Sequence, residues 1–172
     1  RTAAYRRVAA CAEGGLIERL RLLREEPSVL RATRAGLRYA GLGLPVAKAS
    51  PATIGHDLRC VSMAQYLALE FGEAQIITER ELRFAERIDG RPIASARLGE
   101  HRLHRPDLVA FCEGRTIAIE VELTPKAPRR LESLIRAWRR ASWVSEVRYY
   151  CEPGQARRAV ERAIAKTHAA DR

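Results

Sequence analysis

Apolar and polar positions recur with different spacings along the chain, and the changes of spacing divide it into short elements. Residues 2–13 place their apolar side chains on one side of a helix, which a glycine pair ends. Two strand-like runs at 16–23 and 28–33 surround a polar turn, and residues 34–40 form a short helix. A helix, a hairpin and a short helix in this order are typical of the back half of a winged-helix domain, so the pattern predicts such a partial domain at residues 1–44.

Beyond residue 44 the composition changes. Residues 45–55 lie in a stretch rich in Gly, Pro, Ala and Ser, which indicates a linker. A second domain is predicted at residues 56–172, and its first segment, 56–71, is apolar enough to predict a largely buried helix. The later elements are predicted to be strands at 74–78, 108–111, 116–123 and 147–151 and helices at 127–144 and 155–168, with a charged segment at 79–83 and turns at 88–92 and 113–114.

This order of elements predicts an α/β fold with a mixed central sheet. The strands at 108–111 and 116–123 are joined by a tight turn and form a hairpin. The helix at 127–144 then leads to a final strand, and a strand that is added through a helical crossover is expected to be parallel to its partner with a right-handed connection.

The second strand of the hairpin carries two carboxylates where a core strand would have apolar side chains. Glu120 and Glu122 are two residues apart, so both point to the same face of the sheet. Asp107 stands just before the first strand of the hairpin. Like charges on one sheet face repel each other and a buried carboxylate is costly, so we expect water, a basic partner or a divalent cation to neutralise the pair.

A structural interpretation stays open for each of these residues. Arginines of the following helix could form salt bridges with Glu120 and Glu122 without any metal. Asp107 could simply begin a strand, and Lys126 could be a surface residue before a helix. The histidines that lie near arginines are interpreted as surface or hydrogen-bonded side chains; these are His56, His101 and His104.

The charge is unevenly distributed along the chain. There are 31 Lys and Arg against 21 Asp and Glu, a formal net charge of +10. Residues 1–45 hold 9 basic and 4 acidic side chains, residues 46–125 hold 10 and 12, and residues 126–172 hold 12 and 5. Basic ends around an acidic middle indicate a polyanion-binding protein with a cation site, so double-stranded DNA is the expected partner, although the base composition of a genome can also produce an arginine-rich chain.

The cysteines indicate the compartment and restrict the metal chemistry. Cys11, Cys60, Cys112 and Cys151 are far apart and form no CxxC or Cys/His motif, which favours a reducing compartment and argues against a structural zinc site. No run approaches the roughly 18 consecutive apolar residues of a membrane span, and there is no signal-peptide pattern. We therefore expect a cytoplasmic protein without membrane contact. Because the chain begins with Arg1 and not with Met, we also expect a preceding segment.

Several short motifs resemble a known family. Asp107, which follows Pro106, stands 13 residues before Glu120 across the hairpin, a spacing similar to that of the restriction-endonuclease-like PD-(D/E)xK superfamily. More narrowly, four motifs resemble the replication-relaxation family of bacterial plasmids and mobile elements, namely HDL at 56–58, TERELR at 78–83, RPD at 105–107 and IAIEVELTPK at 117–126. That family is similar in joining a winged helix to a nuclease-like domain. The resemblance therefore implies a restriction-endonuclease-like core, αβββαβ with a closing helix.

The resemblance also implies a divalent-cation site in this domain. By position, Asp107 and Glu120 would hold Mg²⁺ or Mn²⁺, and the carbonyl oxygen of Val121 would be a further ligand. Glu70, late in the first helix, would be the additional acidic residue that many members of the superfamily have there. A cation held in this way would activate water for hydrolysis of a DNA phosphodiester bond.

The usual lysine of the superfamily is where this chain departs from the pattern. Glu122 stands two residues after the metal-binding glutamate, in the lysine's place. Lys126, four residues further on, could return an ammonium group to the site. The implied catalytic residues are Asp107, Glu120, Glu122 and Lys126.

Three functions stay open. The chain could be a magnesium-dependent nuclease that acts in plasmid or mobile-element replication or transfer, a catalytically inactive DNA-binding regulator of plasmid replication, or an interaction module for a replication or mobilisation protein. A homodimer is also open. The arginines expected to contact DNA are Arg6, Arg7, Arg19, Arg21 and Arg24 in the winged-helix segment and Arg129, Arg136 and Arg140 in the second domain.

Overall fold

The computed structural model describes residues 2–22, 24–71, 75–100 and 102–169. Within these residues there are six helices and eight strands, and the chain divides into two compact units, Arg1–Gly55 and His56–Arg172. Among the same residues, no helix combines the length and the apolar character that a bilayer span requires. Three predicted positions, residues 23 and 74 at strand ends and His101, lie outside the described part of the chain.

The first unit is a small helix–hairpin–helix arrangement. Its hairpin is antiparallel, and the second helix starts directly after it. The Thr33 side chain caps that helix by accepting a hydrogen bond from Gly36 N at 3.1 Å. A Cβ at position 36 would lie 2.0 Å from the carbonyl oxygen of Leu16, so only glycine fits there. The elements are α1 (Ala3–Glu13), β1 (Ile17–Leu20), β2 (Val29–Ala32) and α2 (Arg34–Tyr39).

The second unit is built on a mixed four-stranded sheet. Its elements are α3 (Ile54–Glu70), β3 (Gln75–Thr78), α4 (Glu79–Asp89), β4 (Ala96–Arg97), β5 (Leu103–His104), β6 (Leu108–Cys112), β7 (Arg115–Glu122), α5 (Pro128–Arg139), β8 (Glu146–Cys151) and α6 (Gln155–Thr167). The sheet order is β3-β6-β7-β8, with β7 and β8 parallel and the other neighbours antiparallel. The predicted mixed α/β sheet, its hairpin and its parallel last strand are therefore confirmed.

The two faces of β7 pack against different helices. Ile119 belongs to an apolar cluster with Leu67 of α3, whereas Ala118 belongs to one with Trp138 of α5. Because side chains alternate along a strand, Glu120 and the glutamate two residues after it lie on the α5 face. The acidic pair is thus placed at the end of β7 beneath α5.

One helix of this unit was not predicted from the sequence, and one prediction is wrong. The charged segment at 79–83 is the start of α4, which has a capping box. The Thr78 side chain accepts from Glu81 N, and the Glu81 carboxylate accepts from Thr78 N at 2.8 Å. The helix α3 is not largely buried, since Leu67 is its one buried residue and Leu69 is 85% exposed. Its apolar residues are spread around the helix, while the sheet covers a single stripe.

Candidate functional site

Glu120 is a buried carboxylate held by two ring N–H groups. Its side chain is 1% exposed, and Oε1 accepts hydrogen bonds from His104 Nε2 at 2.6 Å and from Trp138 Nε1 at 3.0 Å. The two rings also contact each other edge to face, with centroids 5.8 Å apart. Burial raises the pKa of Glu120, although the hydrogen bond from His104 opposes that rise.

Glu122 is neutralised by the lysine that follows the strand. The residue Glu122 is 4% exposed, and its carboxylate accepts a charged hydrogen bond from Lys126 Nζ. The charge of Lys126 also lowers the pKa of Glu120, as a smaller effect than burial. Lys126 therefore interacts electrostatically with both glutamates. The arginines of α5, considered from the sequence as partners of this pair, are not the donors that the structure places here.

Tyr149 of β8 lies beside the acidic pair. The strand register sets it opposite Glu120. Burial first, and then the negative charges of Glu120 and Glu122, raise the pKa of Tyr149 far above its usual value, so the phenol keeps its proton. Its hydroxyl is buried and has no hydrogen-bond partner among the described residues. The site thus contains a protonated hydroxyl next to two carboxylates.

Asp107 belongs to a group on the α3 side, and its charge contributes to the raised pKa of Glu120. Its Oδ2 accepts a hydrogen bond from Val121 N at 2.7 Å. The Nε2 of His56 lies 3.5 Å from the same Oδ2 and 3.2 Å from the carbonyl oxygen of Val121. The contact with Asp107 and then that with Cys60 raise the pKa of His56 to about 11, so the imidazole is a cation at neutral pH. An imidazolium therefore lies between two of the oxygens that the resemblance assigns to a metal.

The carboxylates implied as Mg²⁺ ligands already have protein partners. Within the described residues, the only three-member group of His, Cys, Asp and Glu ligand atoms that lie within 4.8 Å of one another is His56, Cys60 and Asp107. Neither Glu120 nor Glu122 belongs to such a group, and each already accepts from protein donors. A magnesium site needs several oxygen ligands around one point, so the magnesium site that the motif resemblance implies stays a prediction.

Glu70 is also away from this end of the sheet. It forms an ion pair with Arg148 of β8 at 2.9 Å. It lies 14 residues after His56 on α3, which is roughly 21 Å along a helix at about 1.5 Å per residue. The structure pairs Glu70 with Arg148, and the expectation that Glu70 completes a metal site stays a prediction. At the end of α3 it instead neutralises an arginine of the sheet.

A basic cleft opens next to the acidic pair. Its volume is about 440 Å³, and none of its eight lining residues that the structure describes is acidic. The side chains of Arg102, Arg129 and Arg130 form no hydrogen bond or ion pair with any described residue, and the three residues are exposed. The lining residues are Leu98, Arg102, His104, Lys126, Arg129, Arg130, Ser133 and Leu134. His104 and Lys126 are shared with the acidic pair, so the same side chains separate the buried carboxylates from the cleft.

The comparisons with known proteins were negative. No protein-family model, characterised protein or solved structure matches the chain. The resemblance to the replication-relaxation family stays a prediction that rests on the short motifs. Function is therefore argued from the cleft and the side chains around it.

The arginines expected to contact DNA are placed differently in the two units. Those in the first unit, Arg6, Arg7, Arg19, Arg21 and Arg24, are all exposed. In the second unit Arg129 lines the cleft, whereas Arg136 pairs with Glu132 at 3.3 Å and Arg140 is the exposed C-cap of α5. Sequence reasoning missed Arg102 and Arg130 as cleft residues. Arg130 follows Arg129 at the start of a predicted helix, which was an available signal, but nothing local marked Arg102.

Sequence reasoning also missed the group around Asp107. His56 and Cys60 are four residues apart on a helix, a spacing that places two side chains on the same face. That spacing was visible once the helix was predicted. The partnership with Asp107, 47 residues beyond Cys60, is set by the packing of α3 on the sheet. It therefore had no sequence signal.

Proposed function

We propose that this chain is a double-stranded-DNA-binding protein whose second unit holds backbone phosphates in the arginine-lined cleft. The observation that carries the proposal is the set of three exposed arginines, Arg102, Arg129 and Arg130, which have no acidic partner among the described residues. Guanidinium groups bind phosphate in pairs of parallel hydrogen bonds. Phosphate contacts supply most of the sequence-independent affinity of DNA-binding proteins.

The neutralised carboxylates favour binding without cleavage. The buried pair lies behind His104 and Lys126, which line the cleft, so its negative charge is compensated before a phosphate approaches. A polyanion then meets a described lining that contains three arginines and a lysine and no acidic side chain. Because the carboxylates of Asp107 and Glu120 already accept hydrogen bonds from protein N–H groups, we infer a catalytically inactive DNA-binding regulator in preference to a magnesium-dependent nuclease.

The finer fold and the biological setting are part of the same proposal. The antiparallel hairpin β6–β7, followed by α5 and the parallel strand β8, supports a restriction-endonuclease-like core. The helix, hairpin and short helix of the first unit support a partial winged helix, whose exposed arginines would contact the DNA backbone. The motif resemblance supports a role in plasmid or mobile-element replication, and we propose that the protein acts in the cytoplasm.

The test is the binding of the purified full chain to a fluorescent DNA duplex over a series of salt concentrations. The proposal predicts binding whose logarithmic affinity falls linearly with the logarithm of salt concentration, because each neutralised phosphate releases counterions. An absence of binding at low salt would overturn the proposal. It would leave the interaction module as the remaining interpretation.

DNA cleavage is a second candidate, and one observation favours it. Lys126 brings an ammonium group to Glu122 and acts electrostatically on Glu120, which restores a lysine near the position that the superfamily uses. Incubating supercoiled plasmid with the protein and Mg²⁺ or Mn²⁺ separates the candidates. We expect no nicking; nicking that is lost in Glu120→Gln and Asp107→Asn would establish the second candidate instead.

A further inference from the structure

A histidine, a cysteine and an aspartate converge at the end of the sheet that α3 covers. His56 and Cys60 are one helical turn apart on α3, and Asp107 lies directly before β6. One ligand atom from each lies within 4.8 Å of the other two. We propose that these three side chains bind a zinc ion, which displaces the protons of the His56 imidazolium and the Cys60 thiol into solvent, with the fourth coordination position open to water. The DNA-binding cleft has no part in this site, so the two proposals stand independently.

The distances are close to those of a tetrahedral zinc site. Zinc lies about 2.0 Å from histidine nitrogen and carboxylate oxygen and about 2.3 Å from thiolate sulfur. In a tetrahedral site the distance between two ligand atoms is then about 3.3 Å for N···O and about 3.5 Å for N···S. Here His56 Nε2 lies 3.5 Å from Asp107 Oδ2 and 3.9 Å from Cys60 Sγ. Cys60 Sγ also lies 3.6 Å from His56 Nδ1, so a rotation of the His56 or Cys60 side chain is needed to place sulfur and oxygen around one ion.

The ligand types select the metal. Thiolate and imidazole are soft or borderline donors that suit zinc, whereas magnesium requires oxygen ligands. This site therefore differs in chemistry from the oxygen-ligand site that the motif resemblance implies. It also uses Asp107, which removes that carboxylate from any group with Glu120.

The surroundings hold the ligands in place and leave access. Asp107 Oδ2 accepts a hydrogen bond from Val121 N, the kind of outer contact that orients metal-binding carboxylates. The side chains of His56 and Asp107 are 38% and 18% exposed, so an ion and a water molecule can reach them. Three protein ligands with an accessible fourth position are typical of zinc sites that bind an exchangeable ligand.

Cobalt spectroscopy of the reduced full chain tests the site. Co²⁺ bound to a cysteine thiolate in a tetrahedral site gives a charge-transfer band and intense visible bands, and zinc should displace both. We expect both in the wild type and in the matched control Cys112→Ser, which alters another half-buried cysteine. Cys60→Ser should lose the charge-transfer band and weaken metal binding by more than about 100-fold, since even outer-contact changes cost about 10–100-fold. A band that persists in Cys60→Ser would overturn the proposal.

A second measurement needs no variant and so does not depend on folding of Cys60→Ser. The wild-type chain is alkylated with and without zinc, and the modified cysteines are identified by mass spectrometry. Zinc should slow the alkylation of Cys60 at least about tenfold, as expected for a metal-bound thiolate, and leave Cys112 unchanged. Equal rates for Cys60 with and without zinc would contradict the assignment. DNA binding is not read out in either experiment, so failure here leaves the proposed function untouched.

Discussion

The indole N–H of Trp138 donates to Oε1 of Glu120 at 3.0 Å, and the contact connects α5 to the buried end of β7. His104 donates to the same oxygen at 2.6 Å. A carboxylate that is 1% exposed is tolerated in a sheet only when such donors compensate its lost hydration. The acidic pair is therefore part of the core of this unit as well as a neighbour of the cleft.

The charged hydrogen bond between Trp138 and Glu120 should be measurable by a double-mutant cycle. Trp138→Phe removes the N–H donor, and Glu120→Gln keeps an acceptor but removes the charge. Hydrogen bonds to charged groups contribute about 1.5–3 kcal/mol and neutral ones about 0.5–1.5 kcal/mol. We expect a coupling free energy of about 1 kcal/mol from urea unfolding of the wild type, both single variants and the double variant. Strictly additive effects would show that the charge of Glu120 does not strengthen its hydrogen bond with the Trp138 indole.

The raised pKa of Glu120 predicts how Glu120→Gln changes stability with pH. The folded protein holds the Glu120 proton more tightly than the unfolded chain does. The wild type therefore loses stability as the pH rises from about 4.5, the unfolded value, through the folded pKa. Glutamine does not titrate. The unfolding free energy of Glu120→Gln minus that of the wild type should therefore increase between pH 5 and pH 8, as measured by denaturant titrations at each pH. A difference between the two free energies that does not change over this range would contradict the prediction.

Lys126 should stabilise the fold mainly because it compensates Glu122. Replacing Lys126 with Met leaves a carboxylate with a 5% exposed side chain without its partner. Fully buried pairs cost about 3–5 kcal/mol when one partner is removed, and since Lys126 is 27% exposed we expect about 2 kcal/mol. The double variant Lys126→Met, Glu122→Gln should recover most of the loss in thermal and urea unfolding. A double variant as unstable as Lys126→Met alone would mean that the lysine acts through packing.

The sequence was sufficient for the parts of the fold that depend on local pattern. The hairpin β6–β7 and the parallel strand β8 follow from alternation, turn residues and a helical crossover, and they are confirmed. The helix α4 was missed because its charged first turn hid an amphipathic helix, although Thr78 and Glu81 have the spacing of a capping box. Recognising α4 required giving the capping-box spacing more weight than the charged character of residues 79–83.

The partners of the candidate site could not be derived from the sequence. The donors to Glu120 come from His104 and Trp138, 16 and 18 residues away in opposite directions along the chain. The His56 imidazolium reaches Asp107 only because α3 packs across the end of the sheet. Such contacts are set by tertiary packing, which no local spacing encodes. The motif argument therefore found the carboxylates but not the groups that neutralise them.

The most direct test of DNA binding by the cleft compares two arginine pairs that carry the same charge. Arg129→Ala, Arg130→Ala changes the cleft, and Arg157→Ala, Arg158→Ala removes two exposed arginines from α6 as a matched control. Affinity for a DNA duplex is measured by fluorescence anisotropy over a salt series. We expect the cleft variant to lower the salt slope by about 1.8, since each phosphate contact contributes about 0.9, and the control to keep the wild-type slope. Equal slopes for the two variants would contradict binding in the cleft.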